Sequence, residues 1–315
     1  MKKRIFIYAI LCISFISFSF LHQKCFFSKD PTSVQKPDTY YFPYNLDKPH
    51  EIYSLPEYLK EISGLSYYKK NKIVCVQDEK AKLVEYDLKK NEIDERHEFG
   101  KDGDFEGIEI AKKKVYVLRS DGKIYAVKNF SKKDSKKKEY HTPLSIKNDC
   151  EGLGYDSISN SLLIACKGKP SIEGGKKYKG KKAVYQFYLE GKEFNKTPFL
   201  LIDLDEILDL EKKSAYEKLS YKLVKEIDES GDVRFQPSGI AIHPKTNNIY
   251  IIAAVGNSLL VYNRSGELLK IEKLHKKLYK QPEGICFKPN GDLYISNEGD
   301  GGKAKILKFK YRQAE

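Results

Sequence analysis

The chain contains no tryptophan, and its single methionine is the one that begins it. Several enzyme signatures are also missing. There is no G-x-S-x-G elbow, no H-E-x-x-H, no P-loop and no G-x-G-x-x-G after a strand, so the reaction classes those motifs mark have no support. What is abundant is material for strands. The 315 residues are 40% hydrophobic, with 23 Tyr and 16 Phe, and Gly, Asn and Asp punctuate the apolar runs. A chain of this length can still be one domain if it is a barrel or a propeller.

The formal charge is +13. A basic balance suits nucleic acid or an anionic membrane. Here the lysines are spread through loops without interleaved aromatics, and the densest run, Ser131 to Lys138, reads as a solvated loop. No nucleic-acid partner is expected.

Lys2, Lys3 and Arg4 precede the apolar run Ile5 to Leu21, the pattern of an export signal. The run is 17 residues, at the lower limit for a spanning helix. No A-x-A cleavage site follows, and His22-Gln23-Lys24 before Cys25 is no lipobox. An uncleaved anchor is the favoured reading, with cleavage and lipidation as alternatives. The basic N-terminus stays inside and the remainder lies on the periplasmic or extracellular side of the cell membrane. The expected organisation is a signal or anchor over 1–25, a polar Pro-containing tether over 26–47, and a folded domain over 48–315.

Internal repetition decides the architecture. A polar residue followed by Gly and an aliphatic residue recurs as Ile62-Ser63-Gly64-Leu65, Phe105-Glu106-Gly107-Ile108, Cys150-Glu151-Gly152-Leu153, Pro237-Ser238-Gly239-Ile240 and Pro282-Glu283-Gly284-Ile285. The polar positions are 43, 45, 87 and 45 residues apart. Each copy leads into a second apolar strand, such as Ile73–Val76 or Leu162–Ala165, and then a third, such as Leu83–Tyr86 or Ala183–Phe187. Short strands in units of about 45 residues are propeller blades. The expected class is all-β, a single propeller of five blades, with a sixth in the long gap as the alternative. That gap holds a strand, Phe199–Asp203, and then residues 204–227 with near-helical apolar spacing, read as an inserted helix. The last unit lacks an outer strand, which the segment near His50–Leu55 can supply, closing the ring.

The repeated polar position opens the innermost strand of each blade. Ser63, Glu106, Glu151, Ser238 and Glu283 should therefore ring one mouth of the channel. Three converging carboxylates need compensation. Calcium is one answer, with Glu106, Glu151 and Glu283 as ligands and Asp78 and Asn297 adding oxygens; Ser120 and Glu298 stand nearby. The other answer is that the glutamates bond backbone amides of the neighbouring blade, with Arg119 and Lys167 pairing their charge. Asp102-Gly-Asp104-Phe-Glu106 imitates half an EF-hand, but Lys113 stands where a bidentate Glu is required; Asp104 is kept as an outer ligand. His243, in Ala241-Ile-His-Pro244, reads as a turn histidine. Cys150 and Cys166 are equidistant from the turn Asp156–Asn160. They should face each other, either bridged or as two buried thiols.

The ordered motifs ISGLSY, DFEGIEI, VYVLRSDGKIY, NDCEGLGYD, PSGIAIHP, PEGICF and DLYISNEGDGG resemble the SdiA-regulated family, the YjiK-like proteins, over about residues 50 to 312. The resemblance implies a five-bladed propeller behind an N-terminal membrane segment, a bound calcium ion, and a distant likeness to NHL-repeat propellers. It implies no known reaction. Two functions remain open: an extracytoplasmic module binding a small ligand or a protein partner, and a calcium-dependent lactonase- or esterase-like hydrolase.

Overall fold

A computed structural model describes residues 40–210 and 235–313. The described residues form five four-stranded antiparallel sheets, each one blade. Blade I is β2 (Ile62–Lys69), β3 (Lys72–Gln77), β4 (Lys82–Asp87) and β5 (Glu92–Glu98). Blade II is β6 (Phe105–Ala111), β7 (Lys114–Arg119), β8 (Ile124–Lys128) and β9 (Lys136–Tyr140). Blade III is β10 (Cys150–Asp156), β11 (Ser161–Cys166), β12 (Lys181–Tyr188) and β13 (Phe194–Asp203), and blade IV is β14 (Gln236–Ile242), β15 (Ile249–Val255), β16 (Ser258–Tyr262) and β17 (Leu268–Lys273). Blade V is composite: β18 (Pro282–Phe287), β19 (Leu293–Asn297) and β20 (Lys305–Phe309), with β1 (Glu51–Ser54) from the opposite end of the chain as its outer strand. Glu51 to Ser54 pair with Lys308 to Lys305, so the ring closes as the sequence suggests. The inner strands touch in the cyclic order β2, β6, β10, β14, β18, β2.

The apolar core is divided into layers between blades. Ile73 and Cys75 of β3 face blade V with Tyr294 and Ile306. Val74 and Val76 of the same strand face blade II with Val115 and Val117. A middle strand is thus covered on both faces, which is why these strands read as unbroken apolar runs rather than alternating ones. The outer strands differ. β5 (EIDERHE) and β9 (KKKEY) are largely exposed.

The insertion after β13 is helical over 204–210. The rest of the expected helix, to 227, lies outside the described residues, as does the apolar segment 5–21. No helix among the described residues is long and apolar enough to cross a membrane.

Packing begins ahead of Pro49. Tyr44 and Leu46 are buried in the layer between blades IV and V. The Tyr44 hydroxyl donates to the Gly291 carbonyl at 2.6 Å, and Tyr279 donates to the Leu46 carbonyl at 2.8 Å. Aromatic residues carry this segment into the fold, and a polar, proline-containing composition concealed them.

Candidate functional site at the channel mouth

All five polar–Gly positions sit on a break in register between the inner strand and its neighbour: at Ser63, Glu106, Glu151 and Ser238, and across Glu283–Gly284. A β-bulge re-aims its side chain out of the alternating pattern. The same local distortion therefore turns five polar side chains toward one end of the ring. The glycine that follows has a different task. A Cβ at Gly107 would lie 2.8 Å from Leu153 Cβ of the next inner strand, and one at Gly152 would lie 3.0 Å from the Ile240 nitrogen. Only glycine lets neighbouring inner strands approach this closely.

The serines and glutamates divide the work. Ser63 donates to the Phe105 carbonyl and Ser238 to the Pro282 carbonyl, both at 2.6 Å, stitching each blade to the next. The glutamates have other partners. Glu151 accepts from Lys167 at 2.8 Å. Glu106 lies among the Asp104, Glu151 and Glu283 carboxylates, and Glu283 lies beside Gln281. Of the two cations named from the sequence, Lys167 reaches the site; Arg119 instead pairs with Asp121.

Further acids join at the same end through backbone pairing. Asp78 N–H donates to the Glu61 carbonyl, Lys167 to Asp149 and Glu298 to Gln281, placing these side chains around the same rim. Burial pushes the Glu106 carboxyl up to about 10, with the Glu151, Asp104 and Glu283 charges adding to it. Glu283 is pushed to about 8 by burial and then by Glu151 and Glu298. Glu298 reaches about 7 through burial and the charges of Asp78 and Glu61. Glu151 is held to about 6, because Lys167 opposes its burial. Asp78 is raised by burial and by Glu61. Glu106 and Glu283 belong to non-adjacent blades, so their mutual repulsion reflects convergence across the ring. Lys167 is held charged: burial alone would lower its pKa, and Glu151 and Asp149 outweigh that.

Two sequence-named oxygen donors are left unsatisfied. Asp78 Oδ1 is buried with no hydrogen-bond partner, and Asn297, fully buried, has none on either amide atom. Such groups are costly unless something pairs them. Glu61 and Asp149 were not singled out in the sequence. Their position just ahead of each inner strand, equivalent to Asp104, was the available signal.

Away from the mouth, His243 is fully buried. Its Nδ1 accepts from the N–H groups of Lys245 and Thr246, which leaves Nε2–H to donate to Tyr44 Oη at 3.0 Å. It is a satisfied turn histidine. Cys150 and Cys166 are directly opposed in register, and both are buried free thiols here.

These features define a five-bladed β-propeller whose channel mouth is lined with acids. The chain belongs to the SdiA-regulated family, which it matches over residues 50–300. No curated protein matches it in sequence. Among solved structures it is similar to the glutaminyl cyclase of Myxococcus xanthus (TM-score 0.53, 9% identity, covering 85% of this chain and 97% of that one). It is also similar to a PQQ-bound aldose sugar dehydrogenase from Streptomyces coelicolor (0.48, 12%, 84% and 97%) and to a protein assigned as a gluconolactonase (0.49, 11%, 82% and 78%). At these identities the likeness is one of fold.

Proposed function

We propose that this chain is a calcium-binding propeller, anchored through residues 5–21 on the outer side of the cell membrane, whose acidic mouth binds a small ligand or a partner. The observation that supports it is the combination of mutually repelling buried acids with unpaired Asp78 and Asn297 atoms. A hard cation neutralises the first and coordinates the second. Glu106, Glu151 and Glu283, with Asp78 and Asn297, are the residues to hold it. No three mouth carboxylates meet within 4.8 Å among the described residues. At calcium–oxygen lengths of about 2.3–2.6 Å, at most two of the three glutamates then coordinate the ion directly in this arrangement, and the third reaches it through a bridging water or by moving its side chain. A bound cation supplies a Lewis acid at the mouth, and Lys167 keeps Glu151 ionised beside it.

Calcium that binds only the folded ring stabilises it by about 2.7 kcal/mol at a hundredfold excess over its dissociation constant. The melting temperature of the full chain should rise with calcium and fall with chelator. The triple change Glu106→Gln, Glu151→Gln, Glu283→Gln should remove the response. A melting temperature indifferent to both additions in the wild type sinks the calcium reading. Turnover of a lactone and aryl-ester panel only with calcium present would select the hydrolase alternative. Membrane fractionation tests the anchor, and a full-length protein found soluble in the cytoplasm rejects it.

A further inference from the structure

A second constellation lies on blade I, away from the mouth. Glu85 of β4 is buried, and Glu95 and His97 stand on the neighbouring outer strand β5. Glu85 and Glu95 are directly opposed, and His97 is opposed to Leu83 two residues along, so all three project from one face. Their ligand atoms all lie within 4.8 Å of one another, the one such trio of metal-binding side chains among the described residues.

The distances are informative. His97 Nε2 is 3.2 Å from Glu85 Oε1 and 3.3 Å from Glu95 Oε2. Ligands about 2.0–2.1 Å from a tetrahedral ion, the usual zinc–nitrogen and zinc–oxygen lengths, stand roughly 3.3–3.4 Å apart along each edge. One ring nitrogen facing two carboxylate oxygens carries at most one proton, which cannot be aimed fully at both. An ion at the common point satisfies all three atoms.

The surroundings suit a held ligand set. The other oxygen of Glu85, Oε2, is 3.5 Å from Lys72 Nζ, and Lys72 is itself paired with Asp94. Oε1 is thus left to point at His97, the kind of outer hydrogen bond that orients a metal ligand. The His97 ring packs edge-on against Phe130 of the next blade, at 5.3 Å between centroids, and Tyr68 also packs against Phe130. The wall is aromatic, and Glu95, with its side chain 60% exposed, faces solvent. The trio sits where the outer strand of blade I meets blade II.

We propose that Glu85, Glu95 and His97 form a binding site for a zinc-class divalent ion, with water in the fourth position. The nitrogen donor favours a transition metal over calcium or magnesium, so this site and the mouth select different ions. The site would pin the polar outer strand β5, which has few apolar contacts of its own, to β4.

The test uses the full-length chain in excess calcium, which occupies the mouth if that reading is correct. Zinc is titrated by calorimetry, and cobalt is followed by its visible absorption. One zinc-class site is expected, with a tetrahedral cobalt spectrum. His97→Gln and Glu95→Gln should each weaken zinc at least tenfold, whereas the triple mouth variant should leave it unchanged. Glu95 is exposed, so Glu95→Gln decides the matter even if His97→Gln folds poorly. No zinc binding, or binding that ignores Glu95→Gln, overturns the proposal. Zinc lost only in the mouth variant does so too, and places the ion at the other site. Failure of calcium to bind while zinc still depends on Glu95 rejects the mouth reading alone.

Discussion

At the scale of single residues, ionisable groups at the two ends of the propeller pull stability in opposite directions with pH. Burial holds His243 down from 6.5 to about 4, with Lys245 adding to the effect. A histidine lowered in the folded state contributes stability that is present above pH 6.5 and lost as the pH falls toward 4, because the unfolded chain takes the proton first. For a fully buried ring the loss is about 3 kcal/mol. Urea unfolding at pH 7 and pH 4 should show it, and His243→Gln should shrink the difference; an unchanged difference would mean that His243 does not carry it. The mouth acids behave oppositely. Their folded-state pKa values are raised, so without a cation their contribution favours the fold below about pH 4.5. It is lost as the pH rises through about 6 for Glu151, 8 for Glu283 and 10 for Glu106.

At the scale of elements, the bulge–glycine unit is the recurring device. Gly107→Ala should cost about 1–3 kcal/mol, the usual range for overpacking, because its Cβ would meet Leu153 of the neighbouring strand, part of which is backbone. Denaturant midpoints test this, and a neutral result would show that the inner strands can separate without cost. This unit was legible in the sequence as a spacing, which located the five inner strands. Its physical reasons were not: neither the register break nor the contact with the next blade is a local property of the chain. The middle strands were legible because both of their faces are buried. β5 and β9 were not, since their exposed faces leave little apolar signal. The opposition of Cys150 and Cys166 followed from counting about the turn, and the register agrees. Register does not fix redox state, which depends on compartment. If the domain is exported to an oxidising space, thiol counting under denaturing, non-reducing conditions should find two fewer thiols than in protein made under reducing conditions. Equal counts would leave two buried free cysteines.

At the scale of the whole molecule, the ring brings together groups that are remote in sequence. Glu106 and Glu283 repel each other only because five blades close on themselves, and closure depends on β1 reaching β20. The carboxylates of the site were legible as equivalent positions in a repeat. Lys167 was also legible as a cation for these carboxylates, but which glutamate it meets, the independence of Arg119, and the contributions of Glu61 and Asp149 required the three-dimensional rim. The central claim is that the mouth holds acids kept partly protonated until a cation replaces the proton. Calcium binding must then release protons, because Glu106 and Glu283 are both above neutrality in the cation-free ring. Calcium titration by calorimetry at pH 7, repeated in buffers of different ionisation enthalpy, counts those protons. The account predicts release of about one or more protons per calcium, with fewer at pH 9 and none from the triple glutamine variant. Calcium binding whose heat is the same in every buffer, or no binding at all, would contradict it.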